Sequence, residues 1–202
     1  MAQRRASKVN RCLRCKINKN LCFCDHIFNH ELGQTYLSII MHVRELTLTS
    51  NTPYFINQLL PRSSEIFIRG SINFPFNAKQ VMREGEQSFY LFPDEDAIVL
   101  DDDFLKKYPG KKHLIIPDGS WSQARKFKQR EPFFKPLQSV KLPDGIEGRY
   151  KLRVSPVEGG LSTFEAAAYA LGILESKIIE EKMMNFFDVF VNRTLSARKM
   201  LK

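Results

Sequence analysis

Two runs of this sequence combine residue types and spacing that can do chemistry. The run CLRCKINKNLCFC holds all four cysteines of the chain, Cys12, Cys15, Cys22 and Cys24. A disulfide framework suits an oxidising compartment, and the first residues, MAQRRASKVNRC, lack the apolar stretch of a secretory signal. Four thiolates this close can instead close a tetrahedral zinc site, in which the metal replaces a core too small to form by itself. His26 and His30 are near enough in sequence to stand in for one thiolate. The run LIIPDGSW, residues 114–121, passes from three aliphatic side chains to Pro117, Asp118, Gly119, Ser120 and Trp121, the one tryptophan of the chain. A carboxylate at the end of a strand is a general-base candidate, and an indole offers an apolar face with an N–H at its edge. Structure alone also accounts for these residues, as a strand, an Asp-Gly turn and a helix capped by Asp118.

Two further runs carry more polar residues than their positions require. In MHVRELTLTSNT an apolar strand ends at His42, with Arg44, Glu45, Ser50, Asn51 and Thr52 after it; Ser-Asn-Thr-Pro reads equally as a helix cap. In RVSPVEGGLSTFEAAAYAL, Ser162 or Thr163 caps a helix and Glu165 completes a capping-box pattern. Two helix starts that follow loops of glycine and small polar residues can face one crevice, where their N–H groups suit the carboxylate of a small ligand. The nucleotide-binding and hydrolase signatures Walker A, G-x-G-x-x-G, H-E-x-x-H and G-x-S-x-G do not occur. The triplets Asp94-Glu95-Asp96 and Asp101-Asp102-Asp103 read as solvated turns around a strand rather than as a metal site.

These side chains need a scaffold, and the hydrophobic pattern supplies one. Apolar runs at 35–42, 64–70, 88–93, 97–101 and 112–118 predict strands, and 149–154 predicts an extended segment. Helices are expected after Pro53, over about Gly119 to Arg130, and as two C-terminal helices or one broken one. Strands alternating with helices imply an α/β fold with a mostly parallel sheet covered on both faces. Ligands then bind beyond the carboxyl ends of the strands, which is where Asp118 falls. With 202 residues and 43% apolar content the chain can bury one core. The expected division is a basic zinc-binding segment, 1–30, and a catalytic domain, 31–202.

Charge locates a partner. Arg4, Arg5, Lys8, Arg11, Arg14, Lys16 and Lys19 crowd the first twenty residues with no acidic neighbour, so most of the formal charge of +9 sits there. A basic head of this kind suits a phosphate backbone. No run reaches the ~18 to 20 apolar residues of a membrane helix, so a cytosolic protein without membrane partner is expected.

The cysteine run, MHVREL with its SNT, then PDGSW, then RVSPVEGGLSTFEAAAYAL, in this order, resembles the DTW-domain family of tRNA-uridine aminocarboxypropyltransferases, over about residues 11 to 180. Two positions depart from the family pattern. Asp118-Gly119-Ser120-Trp121 has serine where the family has threonine, which keeps the hydroxyl. His42-Val43-Arg44-Glu45 lacks a proline usual after the histidine, which loosens the turn and keeps both polar groups. The resemblance implies a SPOUT-like fold with a C-terminal trefoil knot, which the alternation of elements would not suggest. It implies transfer of the 3-amino-3-carboxypropyl group of S-adenosylmethionine to N3 of a tRNA uridine, in the variable loop as in bacterial members, leaving 5′-methylthioadenosine. Matched to that chemistry, Asp118 is the general base. Pro117, Gly119, Ser120, Trp121, Ser162, Thr163 and Glu165 hold the donor, and His42, Arg44 and Asn51 line the acceptor side. Arg11, Arg14, Lys16 and Lys19 grip tRNA phosphates around a structural zinc on Cys12, Cys15, Cys22 and Cys24. No obligate protein partner is implied. A SPOUT-type RNA methyltransferase and a non-catalytic zinc-dependent RNA-binding protein are the competing readings.

Overall fold

The computed structural model describes residues 10–48, 51–73, 75–150, 152 and 160–199. Arg4, Arg5 and Lys8 of the basic head, Ser50, and residues 153–159 of the RVSPVEGG run lie outside them. The described strands are β1 (Thr35–His42), β2 (Ser64–Arg69), β3 (Gln87–Leu91), β4 (Ile98–Val99), β5 (Lys112–Asp118) and β6 (Ser139–Lys141). They form one sheet in the order β2-β1-β5-β3-β6-β4, and every neighbouring pair is parallel. The helices are α1 (Pro53–Leu59), α2 (Asp102–Lys107), α3 (Trp121–Arg130), α4 (Thr163–Leu174) and α5 (Lys177–Lys199). Short 3-10 turns fill several of the connections.

Proline punctuates the first three helices in one way. Pro61, Pro109 and Pro132 each stand two residues past the last helical residue of α1, α2 and α3. The residue before a proline is sterically pushed out of the helical region, so each helix stops there. The pleat then sorts the strand side chains. Leu37, Ile39, Leu114 and Ile116 face a core built with Phe55, Ile56 and Leu59 of α1 and with the apolar sides of α4 and α5. Ile40, Ile115 and Tyr90 face the other way, onto Ala124 and Phe127 of α3 and onto Phe134. Both faces are covered, as a parallel sheet requires.

The expected parallel sheet, the strand over 112–118 and two separate C-terminal helices are all present. Four details differ. The aspartates at 101–103 open α2: Asp101 Oδ1 accepts from Phe104 N at 2.8 Å, a side-chain cap rather than a solvated turn. Asp94 is held by Lys128 Nζ at 3.2 Å and Ser139 Oγ at 2.7 Å, so it braces β6. The helix after β5 starts at Trp121, and Ser120, not Asp118, caps it. No strand includes Arg149, Tyr150 or Leu152; the rest of that expected segment falls mostly outside the described residues.

Candidate active site

The site follows from where the chain turns in opposite directions. From β1 it leaves through α1, on one face, to β2 at the sheet edge. From the adjacent strand β5 it leaves through α3, on the opposite face, towards β6. The carboxyl ends of β1 and β5 therefore flank a crevice, the usual ligand position in such sheets. Met41 pairs with Asp118 at that edge, and His42 is the next residue of β1.

The turn after Asp118 is shaped by two residues. Gly119 has φ +154, and a Cβ there would come within 2.9 Å of Gln123 Oε1. That oxygen accepts from Ser120 N at 2.8 Å, while Ser120 Oγ accepts from Gln123 N at 3.3 Å. The reciprocal capping box uses Ser120 as a cap, a task that either serine or threonine performs.

A second capping box starts α4. Ser162 Oγ accepts from Glu165 N at 3.3 Å and Glu165 Oε2 accepts from Ser162 N at 2.8 Å. Glu165 is fully buried, and its Oε1 accepts from Arg149 N, so this carboxylate ties the 149 loop to α4. Thr163 reaches the other way: its hydroxyl donates to Asp118 Oδ1 at 2.6 Å. One contact thus joins PDGSW to LSTFEA across 45 residues of sequence.

Between these two helix starts is a cavity of about 580 Å³, within the ~300 to 1,000 Å³ of small-molecule sites. Pro117, Gly119 and Trp121 line one side, and Ser162, Thr163 and Ala166 another. Trp121 is 37% exposed and leans on Phe92 with ring centroids 5.7 Å apart. The loop after β6, from Leu142 to Glu147, completes the wall. Sequence reasoning missed β6 and this loop, although its Pro143-Asp144-Gly145 repeats the Pro-Asp-Gly that follows β5. The apolar lining and the few polar groups at the start of α4 fit a ligand with an apolar body and a carboxylate end.

At the head, the four thiols are free and their Sγ atoms all lie within 4.8 Å of one another. Cys12 to Cys24 is 3.6 Å and Cys15 to Cys22 is 3.7 Å. Tetrahedral zinc with thiolate bonds near 2.3 Å sets its sulfurs about 3.8 Å apart, so the cluster is already close to the metal's geometry. Among the described residues neither His26 nor His30 belongs to it. Backbone N–H groups of Cys15 and Arg14 pull the Cys12 thiol down to about 6, whereas burial pushes Cys15 and Cys24 up. A coordinating metal would override that rise. Phe23, between two of the cysteines, is fully buried against Phe55, Phe186 and Phe190, and so fixes the head to α1 and α5.

The remaining expected residues are dispersed. Arg11, Arg14, Lys16 and Lys19 are exposed on the head, with Arg14 Nε on Gln58 of α1 at 3.0 Å and Arg11 on the Lys16 carbonyl. His42 stands in the crevice, its Nδ1 accepting from Arg44 N at 3.2 Å. Arg44 itself is exposed. Asn51 is buried; its amide donates to the Glu45 carbonyl and its Oδ1 accepts from Tyr54 N, so it braces the loop into α1.

The sequence matches the DTW domain over residues 9–195. It is similar to a protein of Macaca fascicularis named tRNA-uridine aminocarboxypropyltransferase 2, at 30% identity over 184 residues, which make up 89% of this chain and 61% of the relative. Relatives of the same name from Drosophila melanogaster and Mus musculus are each 28% identical, over 85% and 89% of this chain. The chain spans 61% of the macaque and mouse relatives and 69% of the fly one. No solved structure matches it. Since the domain match takes in all but the two ends of the chain, this protein belongs to the DTW-domain family.

Proposed function

We propose that the chain transfers the 3-amino-3-carboxypropyl group of S-adenosylmethionine to N3 of a uridine in tRNA. One observation carries the reading: the Asp118 carboxylate, held by Thr163, stands at the edge of a cavity of ligand size at the switch point of the sheet. The names of the relatives supply the reaction it would serve. A bound S-adenosylmethionine supplies a carbon already activated by positive sulfur, so the protein need not create a leaving group. Its residues select which carbon is attacked and align the nucleophile. Trp121 and the apolar wall pack the donor, and the N–H groups at the start of α4 receive its carboxylate. Uracil N3 carries a weakly acidic proton. Asp118 takes it as the N3–C bond forms, the C–S bond breaks and 5′-methylthioadenosine leaves. Thr163 fixes the carboxylate for that step.

In the same reading, zinc on the four cysteines shapes the head, and Arg11, Arg14, Lys16 and Lys19 hold tRNA phosphates. A SPOUT-like fold with a knotted C-terminal half, a target in the variable loop and a cytosolic setting complete the proposal. The parallel sheet supports the first, and among the described residues no helix is long and apolar enough to cross a membrane.

Nucleoside mass spectrometry of tRNA incubated with the protein and S-adenosylmethionine tests the reading. Uridine carrying the aminocarboxypropyl mass is expected; uridine carrying only a methyl group would make the protein a methyltransferase. Asp118→Asn should abolish the product while tRNA binding persists, and a fully active Asp118→Asn protein would remove the base assignment.

A further inference from the structure

A second hollow, of about 230 Å³, adjoins Asp118 on its other side. Pro117 and Ala124 line both this hollow and the larger cavity, so only the end of β5 and the first turns of α3 separate the two. Asp118 lines the smaller one, yet its Oδ1 is bonded to Thr163, which lines the larger. The carboxylate therefore stands where the two spaces meet.

The second hollow is basic, and the fold makes it so. His42 and Arg69 are paired residues at the ends of β1 and β2, on the side covered by α3. Lys126 and Arg130 are four residues apart on α3 and share one of its faces. Arg69 is not loose: its guanidinium lies 4.0 Å over the ring of Phe127. Gly70, with φ +79, lets the strand end approach His42 so closely that a Cβ would stand 2.6 Å from Nε2. Arg69, Lys126 and Arg130 form no salt bridge with a described carboxylate, although the charge of Glu131 reaches Arg69 through space. Among the described residues, Asp118 is the one acidic side chain in the lining. Cations without ion pairs around a single carboxylate suit a ligand that is anionic at one end and presents an acidic N–H at the other.

We infer that this hollow receives the acceptor nucleotide, its phosphates on Arg69, Lys126 and Arg130 and its base edge directed at Asp118. The inference rests on the transfer reading above and assigns its acceptor side. Displacement at carbon needs the nucleophile opposite the departing sulfur, so donor and acceptor must approach from two sides of one point. Two hollows meeting at Pro117 and Asp118 provide that arrangement. RNA contact is then not confined to the head, and α3 holds the target nucleotide.

The double variant Lys126→Glu/Arg130→Glu tests this, because both side chains are exposed and their loss leaves the core intact. Lys107→Glu/Lys111→Glu, at the two ends of the connection from α2 to β5, makes the same charge change away from the site. For the first, kcat/KM for tRNA should fall about tenfold or more and tRNA binding should depend less steeply on salt. Binding of 5′-methylthioadenosine by calorimetry should stay at the parental level, and the control pair should match the parent throughout. A further pair reads Arg69: Arg69→Lys should retain more activity than Arg69→Ala. If the parent modifies tRNA and the Lys126/Arg130 variant does so equally well, the acceptor assignment is wrong and the transfer reading stands. If 5′-methylthioadenosine binding is lost along with activity, the two residues serve the fold and the assignment is also wrong. A parent that modifies no tRNA overturns both.

Discussion

Ser120 and Thr163 are both small hydroxyl residues at the start of a helix, and they do different work. Ser120 Oγ accepts a backbone N–H and closes a cap. Thr163 Oγ1 donates to a carboxylate, a bond to a charged acceptor and so a stronger one. Their substitutions should separate accordingly. Ser120→Ala should lower stability by about 1 kcal/mol, as lost caps do, with turnover of the folded protein little changed. Thr163→Val keeps the shape and removes the donor. Since a hydrogen bond to a charged group contributes about 1.5 to 3 kcal/mol, kcat should drop roughly 10- to 100-fold with KM for tRNA unchanged. Melting curves and steady-state kinetics on both variants check this. A Thr163→Val protein with parental kcat would deprive the Asp118 contact of its role.

At the scale of elements, β5 is the organising strand. It alternates Leu114 and Ile116 into one core with Ile115 into the other and delivers Asp118 at its end. Near its start, His113 is fully buried, with Nε2 2.8 Å from Ser38 Oγ and Nδ1 2.9 Å from Ser88 Oγ, linking the three central strands. Burial pushes this imidazole down from its ordinary value to about 4. The folded chain therefore holds a neutral ring across a range in which the unfolded chain takes up a proton. Stability from this residue is complete above the ordinary value of about 6.5 and is lost as pH falls towards about 4, by roughly 3 kcal/mol at most. Denaturant melts between pH 7 and pH 4.5 should show the fall, and His113→Asn, though less stable, should show less of it. An equal slope in that variant would place the acid sensitivity elsewhere.

At the scale of the whole molecule, the head is joined to the body by Cys15, Ile17 and Phe23, all buried in the main core. Phe23 inserts among Phe55, Phe186 and Phe190, so the cysteine cluster and the main core share a contact surface. Removal of zinc should therefore be felt beyond the head. Metal analysis should find one zinc per chain, and a chelator should lower the melting temperature and weaken tRNA binding. Phe23→Ala should cost about 3 to 5 kcal/mol, the range for emptying a buried aromatic site. A metal-free protein with unchanged melting and tRNA affinity would remove zinc from the account.

The chain itself determined its local structure and its chemical inventory. Periodicity marked β1, β2 and β5 because strands buried on both faces are continuous apolar runs. The cysteine spacing announced a cluster, and S-x-x-E wrote the cap of α4 into four consecutive letters. Three-residue β6 was not legible, since so short a run has no period to detect. Asp101 reads as a turn in the sequence because a cap and a solvated loop draw on the same residues. What only the tertiary structure decided is proximity. That Thr163 bonds Asp118, that Asn51 and Glu165 brace loops, and that Arg69 meets Lys126 and Arg130 around a second hollow all depend on strand order. Strand order is set by which apolar faces pack together, long-range contacts that no local pattern encodes. The order β2-β1-β5 sends α1 and α3 to opposite faces, and the crevice at Asp118 is the space that this divergence leaves open.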